Sequence, residues 1–371
     1  MPPHCLLHFF IVFFSVSAIV KIGGVQMNKF NKLLFSALSL FALTVMTSCD
    51  GNGITIEAAV ANQRVMDAME QMTTTEIESF EIDITADLDY SGKAFDADDV
   101  VLSERNLEAA GEVHIKANDI FGEDAVGSVT ASASVLAVEN DETLVDVDAG
   151  VAIYFSEGWV YADVTDATEL FALMEQEAPE VTTIKTYVGN LGEAIGYNPE
   201  EPIEMPFAFD DMVPYANLLS DVKATESNGE LTVVYTVTID DIVNIGVKVM
   251  QDAGEIPAEA TSEEIETLRT QMREMISSVI NITTAKLTIG VGADGFLSKL
   301  YVDVDVAVTI AQEEETGVYM RAEEPVIDHE LHELEGFFHI DIDNMNQVVD
   351  VVLPDNLDTY TEIPQEEEPT V

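Results

Sequence analysis

The stretch IDHELHELEG, residues 327–336, places two of the six histidines of the chain beside several carboxylates. In a helix, His329 and His332 would share one face with Glu333 nearby, and the three side chains could bind a zinc ion. Only two imidazoles are available, and the stretch follows Pro325 and is rich in solvated acids, which favours a charged surface loop. We therefore predict no metal ligand and no cofactor here.

Other patterns of catalytic residues are missing from the sequence. It contains no GxSxG motif, no HExxH motif and no phosphate-binding loop. With 70 acidic residues in the chain, a close pair of carboxylates arises by chance and does not indicate general acid–base catalysis. The sequence predicts a protein that is not an enzyme.

Cys49 follows a leader of the secretory type. Lys29 and Lys32 precede a mainly apolar run at residues 33–45, and small residues stand directly before the cysteine. The run is about 13 residues long and a bilayer needs roughly 20, so a signal peptide over residues 27–48 is favoured over a transmembrane helix. A buried or stray cysteine after an ordinary signal peptide is the alternative.

These residues resemble the lipobox of bacterial lipoproteins, although Met46 stands where that family usually has Leu, Val or Ile. The resemblance implies that the Cys49 thiol carries a diacylglycerol, with palmitate as a typical acyl chain, and that cleavage makes Cys49 the N-terminus. It also implies that the lipid anchors the protein to the cell membrane, on the extracytoplasmic face.

Residues 1–26 add a second apolar segment ahead of a complete signal peptide. Codons for Gly23 and Gly24 can spell GGAGG, a ribosome-binding sequence, at a suitable distance before the codon of Met27. We therefore expect residues 1–26 to be a non-coding upstream extension. A real hydrophobic helix near residues 6–20 is the alternative.

Acidic residues outnumber basic ones 70 to 15, and the formal net charge is −55 at pH 7. Such a charge repels nucleic acid and anionic membrane surfaces, and its self-repulsion calls for screening by salt or divalent cations. Specific calcium binding is the sharper alternative. The close acidic pairs alternate along strand patterns, however, without the glycine turn and terminal glutamate of a calcium loop. These pairs are Asp146 with Asp148, Asp303 with Asp305 and Asp341 with Asp343.

Alternation of apolar and polar residues predicts a broad antiparallel sheet. The clearest strands cover residues 80–90, 145–155 and 300–310, and their alternate residues form one continuous apolar face. Weaker strands are predicted near residues 112–117, 128–138, 231–238, 285–291 and 337–342, with hairpin turns at 156–158 and 293–295. Helical spacing and capping patterns predict amphipathic helices at residues 56–72, 165–176, 240–254 and 261–280.

The order of these elements resembles the LolA/LppX-like lipoproteins and related uncharacterised Gram-positive lipoproteins. The resemblance covers residues 56–360 and includes the hairpin YFSEGWVYADV and the strand pair LTIGVGADGFLSKLYVDVDVAV. It implies an α+β fold in which a large curved antiparallel sheet, a half-barrel, carries amphipathic helices on its concave face. We expect a lipidated tether at residues 49–55, a single α+β domain at 56–360 and an acidic flexible tail at 361–371.

The apolar face suggests a lipid-like ligand held between sheet and helices. We expect Trp159, Phe207 and Phe209 near the entrance, Val304 on the binding face, and the proline-rich segment 197–214 as a lid. The alternative is a non-enzymatic structural or interaction protein of the envelope, with a filled core and a dependence on divalent cations.

Overall fold

The computed structural model describes residues 54–75, 77–120, 122, 124–167, 171, 179–189, 217–257, 259–311 and 328–363. Outside these residues lie the predicted leader with Cys49, most of the helix expected at 165–176, the proposed lid with Phe207 and Phe209, and most of the acidic tail. A 3₁₀ turn at Thr165–Ala167 occupies the start of that expected helix.

Thirteen strands in the described residues form one open, mixed sheet, and with the helices they give an α+β fold. In chain order the strands are β1 Ile54–Ile56, β2 Phe80–Phe95, β3 Val101–Asn118, β4 Val126–Glu139, β5 Glu142–Ser156, β6 Trp159–Asp163, β7 Thr183–Tyr187, β8 Asp221–Ser227, β9 Glu230–Thr236, β10 Ile280–Val291, β11 Leu297–Ala311, β12 His329–Asp343 and β13 Thr361–Glu362. Their spatial order is β1-β8-β9-β10-β11-β12-β2-β3-β4-β5-β6-β7-β13. Neighbouring strands pair antiparallel except β7 and β13, which are parallel.

The register confirms the predicted single apolar face. Directly paired residues lie on the same face of a sheet, so the pairs can be followed from strand to strand. Ile84 of β2 pairs with Val113 of β3 on one side and with Ile340 of β12 on the other, and Ile340 pairs with Leu300 of β11. The opposite face carries most of the charged and hydroxyl side chains of these strands. We call these the apolar face and the polar face.

Both predicted hairpin turns are confirmed. Glu157 and Gly158 link β5 to β6 with φ values of 51° and 79°. Two consecutive residues with positive φ are typical of a type I′ turn, whose twist matches that of the flanking strands. Gly295, with φ 88°, lies in the connection between β10 and β11.

Three helices are described: α1 Ala58–Thr74, α2 Ile239–Asp252 and α3 Ser262–Val279. The capping box predicted for α3 is present, since the hydroxyl of Thr261 accepts the Glu264 N–H and the Glu264 carboxylate accepts the Thr261 N–H. Helix α1 begins two residues later than its spacing predicts, because residues before it form β1 and pair with β8.

The helices pack on the apolar face over β1 and β8–β11, the strands on one side of the sheet. Helix α1 contributes Ala61, Val65 and Ala68 to a buried cluster with residues of β8, β9 and β10. A second cluster joins Val243 of α2 and Ile276 of α3 to β10 and β11. Among the described residues, the three buried clusters take their strand residues from β1 and β8–β11 and the loops beside them. The core of the molecule therefore lies under one part of a much wider sheet.

The prediction of a surface loop at residues 327–336 is wrong. His329 to Asp343 form the long strand β12, which pairs with β2 along its whole length and with β11 from His329 to Asp341. Because the side chains of a strand alternate, His329 and His332, three residues apart, point to opposite faces and not to a common zinc ion.

After β12 the chain crosses the polar face toward the far edge of the sheet. Met345, Val349 and Tyr360 of this closing segment, residues 344–363, are buried. The Tyr360 ring contacts the Tyr161 ring of β6 edge-on, with 5.8 Å between centroids. The segment then pairs as β13 with β7.

Candidate functional site

The apolar face continues well beyond the helix-packed clusters. The part carried by β12 and β2–β5, which we call the outer apolar surface, is represented by Ile84, Leu88, Val113, Ala131, Val151 and Phe338, all half-buried. By contrast, the apolar side chains of this sheet that lie under the helices, such as Leu231 and Val233 of β9, are fully buried. The outer apolar surface is thus a wide, incompletely buried apolar area, the chemical environment that acyl chains prefer.

The structure separates the two described residues that the sequence assigned to one ligand site. Val304 lies on the apolar face, where β11 places it between Ala285 of β10 and Gly336 of β12. Trp159 lies on the polar face, because its neighbour Val160 pairs with the apolar-face residue Phe155. Trp159 and Val304 therefore do not line one surface.

Trp159 belongs instead to an aromatic group on the polar face. Its ring meets the Tyr187 ring edge-on with 5.3 Å between centroids, and the Lys185 ammonium lies 5.6 Å from its centroid. These cross-strand contacts between β6 and β7, together with the Tyr161–Tyr360 contact, join the sheet edge to the closing segment. The arrangement accounts for the aromatic residues of this hairpin as packing.

A polar chain interrupts the apolar face near one end of β2 and β12. The Tyr90 hydroxyl lies 2.7 Å from Nδ1 of His332, and Nε2 of His332 lies 3.2 Å from a carboxylate oxygen of Glu330. The residues sit side by side because Tyr90 pairs with Leu334 and His332 pairs with Gly92. Burial raises the pKa of Tyr90, the nearby Glu330 charge raises it further, and Arg105 opposes both. The phenol therefore stays a neutral hydrogen-bonding group.

The sequence alone did not predict this hydrogen-bonded group of Tyr90, His332 and Glu330, because His332 was assigned to a loop. The signal was present in the alternation of β12, since His332, Leu334, Phe338 and Ile340 are all separated by even numbers of residues. Extending the predicted strand 337–342 backward at period two would have placed His332 on the apolar face.

On the polar face, carboxylates face one another across β2 and β12. They lie at the end of the two strands that is remote from Tyr90 and His332. Asp341 pairs with Asp83 and Asp343 pairs with Glu81, so like charges stand opposite each other. Burial raises the pKa of Asp343, and repulsion from Asp341, Glu81 and Asp83 adds to the shift. In the part of the chain that the structure describes, no group of three or more His, Cys, Asp or Glu side chains is arranged to hold a metal ion.

Asp343→Asn should stabilise the protein at pH 7. The difference in stability between the variant and the wild type should become smaller as the pH falls. The pKa of Asp343 in the folded state lies above its ordinary value of 3.8, so its ionisation disfavours the folded state. The stabilisation that the protonated Asp343 carboxyl gives the folded state is complete below pH 3.8 and is lost as the pH rises through the raised pKa. Melting temperatures of both proteins at pH 7 and pH 4 test this. A variant that is less stable than the wild type at pH 7 would contradict it.

In the described part of the chain, the helices are all too short or too polar to cross a membrane. No protein-family model matches the chain, and no curated protein matches it either. The geometry of the outer apolar surface and the residues of the leader therefore carry the functional argument.

Proposed function

We propose that the protein is held at the extracytoplasmic face of the cell membrane by lipid on Cys49 and binds a lipid-like ligand on the outer apolar surface. The proposal includes a sheet that curves as a half-barrel around the ligand. It involves no catalysis, cofactor or nucleic acid. The single observation that supports it most is the extent of the apolar face, which runs across β12 and β2–β5 beyond the clusters that the helices bury.

The size and chemistry of this surface favour an acyl chain over a small polar ligand. Strands of 14 to 18 residues run side by side in β2, β3, β4 and β5. At about 3.3 Å per residue, β3 extends for roughly 60 Å, more than the length of an acyl chain. Its apolar-face residues include Leu107, Val113 and Ile115. Each methylene that leaves water against such a surface contributes about 0.8 kcal/mol.

Ala131 and Ser132 of β4 offer a matched pair of variants. They are adjacent in sequence, but Ala131 is half-buried on the apolar face and Ser132 is exposed on the polar face. Ala131→Glu places a carboxylate among the proposed acyl contacts, whereas Ser132→Glu adds the same charge to an already acidic face. Only the first change should oppose binding of an acyl chain, because only there would a charge lose water.

The experiment titrates a fluorescent fatty-acid methyl ester into the purified Cys49→Ala protein. This substitution should release the protein from the membrane or leave its leader uncleaved. Ala131→Glu should weaken binding at least tenfold, a change of about 1.4 kcal/mol, and Ser132→Glu should change it less than twofold. Melting curves of both variants verify that they fold. Absence of binding to the parent protein, or equal effects of the two variants, would refute the proposal and favour a structural protein of the envelope.

A further inference from the structure

We propose that the hydrogen-bonded chain Tyr90–His332–Glu330 binds the hydroxyl-bearing head of a neutral acylglycerol whose acyl chain lies on the outer apolar surface. The inference rests on the proposed function, since it names the class of lipid that this surface would take. The juxtaposition behind it is a row of three hydrogen-bonded polar groups at one end of the apolar face, beside the Arg105–Glu139 ion pair.

The three groups lie in a row on one face of two paired strands. Tyr90 belongs to β2, whereas Glu330 and His332 are alternate residues of β12. On the other side, β12 pairs with the apolar β11, where Val308 faces His332. Largely apolar binding sites use a few such polar groups to fix the orientation of a ligand.

Gly92 lets the Tyr90 side chain reach His332. A Cβ atom at position 92 would lie 2.6 Å from the Tyr90 hydroxyl oxygen and 3.2 Å from the ring carbon that bears it. The ring leans along its own strand over Gly92, which is also the residue paired with His332. The backbone at this position thus leaves room for the hydroxyl to meet the imidazole.

The imidazole can link the hydroxyl to the carboxylate. If Nε2 of His332 carries the proton that bonds Glu330, Nδ1 accepts the Tyr90 hydroxyl proton. The lone pairs of the Tyr90 oxygen then point away from that bond and can accept a proton from a ligand hydroxyl. The polar chain therefore offers acceptors to a head that brings donors.

Charges around the chain favour a neutral head over an anionic one. Glu330 is one of the three hydrogen-bonded groups, and Glu139 of β4 lies on the same face, paired with Arg105 of β3. Arg105, the cation whose charge acts on Tyr90, is ion-paired with Glu139 at 2.5 Å. A fatty-acid carboxylate or a phosphate would face Glu330 and compete with Glu139 for Arg105, whereas glycerol hydroxyls bring no charge.

The test compares three lipids with the same fluorescent acyl chain: a monoacylglycerol, the free fatty acid and its methyl ester. Binding to the Cys49→Ala protein should be tightest for the monoacylglycerol, by about tenfold over the methyl ester. Tyr90→Phe should remove this advantage, because the ring remains and only the hydroxyl is lost.

Tyr301→Phe is the matched control. The Tyr301 hydroxyl bonds Asp341 on the polar face, so its loss should not alter the affinity of any of the three lipids. Melting curves show whether both variants fold.

The outcomes distinguish the inference from the function on which it rests. The inference would be overturned if the fatty acid bound as tightly as the monoacylglycerol or more tightly, or if Tyr90→Phe left the monoacylglycerol affinity unchanged. In either case, binding of the methyl ester would still support the proposed function. Failure of all three lipids to bind would overturn both.

Discussion

Replacing Asp241 with alanine should lower the free energy of unfolding by about 3 kcal/mol, because it leaves buried donors without an acceptor. Asp241 is fully buried at the start of α2. One of its carboxylate oxygens accepts the Ser220 N–H at 2.9 Å. The other accepts the Thr238 N–H at 2.9 Å and the Thr238 hydroxyl at 2.7 Å. The side chain therefore fixes both the helix N-terminus and the chain that leads into β8. Urea unfolding measures the loss.

Asp241→Asn serves as the control for shape. The amide keeps one oxygen acceptor and the volume of the side chain, so it should destabilise the protein less than alanine does. If alanine costs less than about 1 kcal/mol, the size of a single exposed cap, the carboxylate is not the structural centre that its contacts indicate.

Gly336→Ala should lower the free energy of unfolding by roughly 2 to 3 kcal/mol, the range found for overpacked interiors. An added Cβ would lie 2.4 Å from the carbonyl oxygen of Asp87 and 3.0 Å from Cα of Leu88. Both atoms belong to the backbone of β2, which pairs with β12 through this position. Relief would require the two central strands to separate, and the ladder between them would weaken.

Gly150→Ala is a matched substitution in β5, which β2, β3 and β4 separate from β12. At that position in β5 the nearest atom to a new Cβ is the Asp166 Cβ, at the ordinary contact distance of 3.4 Å. The change should be neutral or stabilise by up to about 1 kcal/mol, because alanine restricts the unfolded chain. Equal costs at Gly150 and Gly336 in urea unfolding would show that strand propensity, and not the close approach of β12 to β2, sets the effect.

The long strands with one polar face were predictable because each carries its own alternation. Phe80, Ile82 and Ile84 define the apolar face of β2 without reference to any other strand. Extending the alternation of β12 backward reaches His332 but not the start of the strand, since Glu330 falls on its apolar face and Leu331 on its polar face. That segment is a strand because β11 and β2 supply hydrogen-bonding partners on both sides, and this tertiary effect overrides local sequence preference.

The side of the sheet on which Trp159 lies illustrates a second limit. The choice of Trp159 as a ligand contact followed from its aromatic character, whereas its face is set by register across a two-residue turn. Val160 and Ala162 of β6 continue the apolar face, which leaves Trp159 and Tyr161 opposite. Parity along the hairpin could have been read from the sequence. The extent of helix cover could not, because it depends on where α1, α2 and α3 dock.

Photo-crosslinking of an acyl chain to the protein shows directly which face of the sheet the chain contacts. A methyl ester with a diazirine in its acyl chain would be irradiated with the Cys49→Ala protein, and the labelled residues identified by fragmentation mass spectrometry. We expect labels at apolar-face residues such as Val113, Ala131 and Val151, with their sequence neighbours His114 and Ser132 unlabelled. Labels on the polar-face residues Trp159 and Tyr187, or equal labelling of both faces, would contradict it.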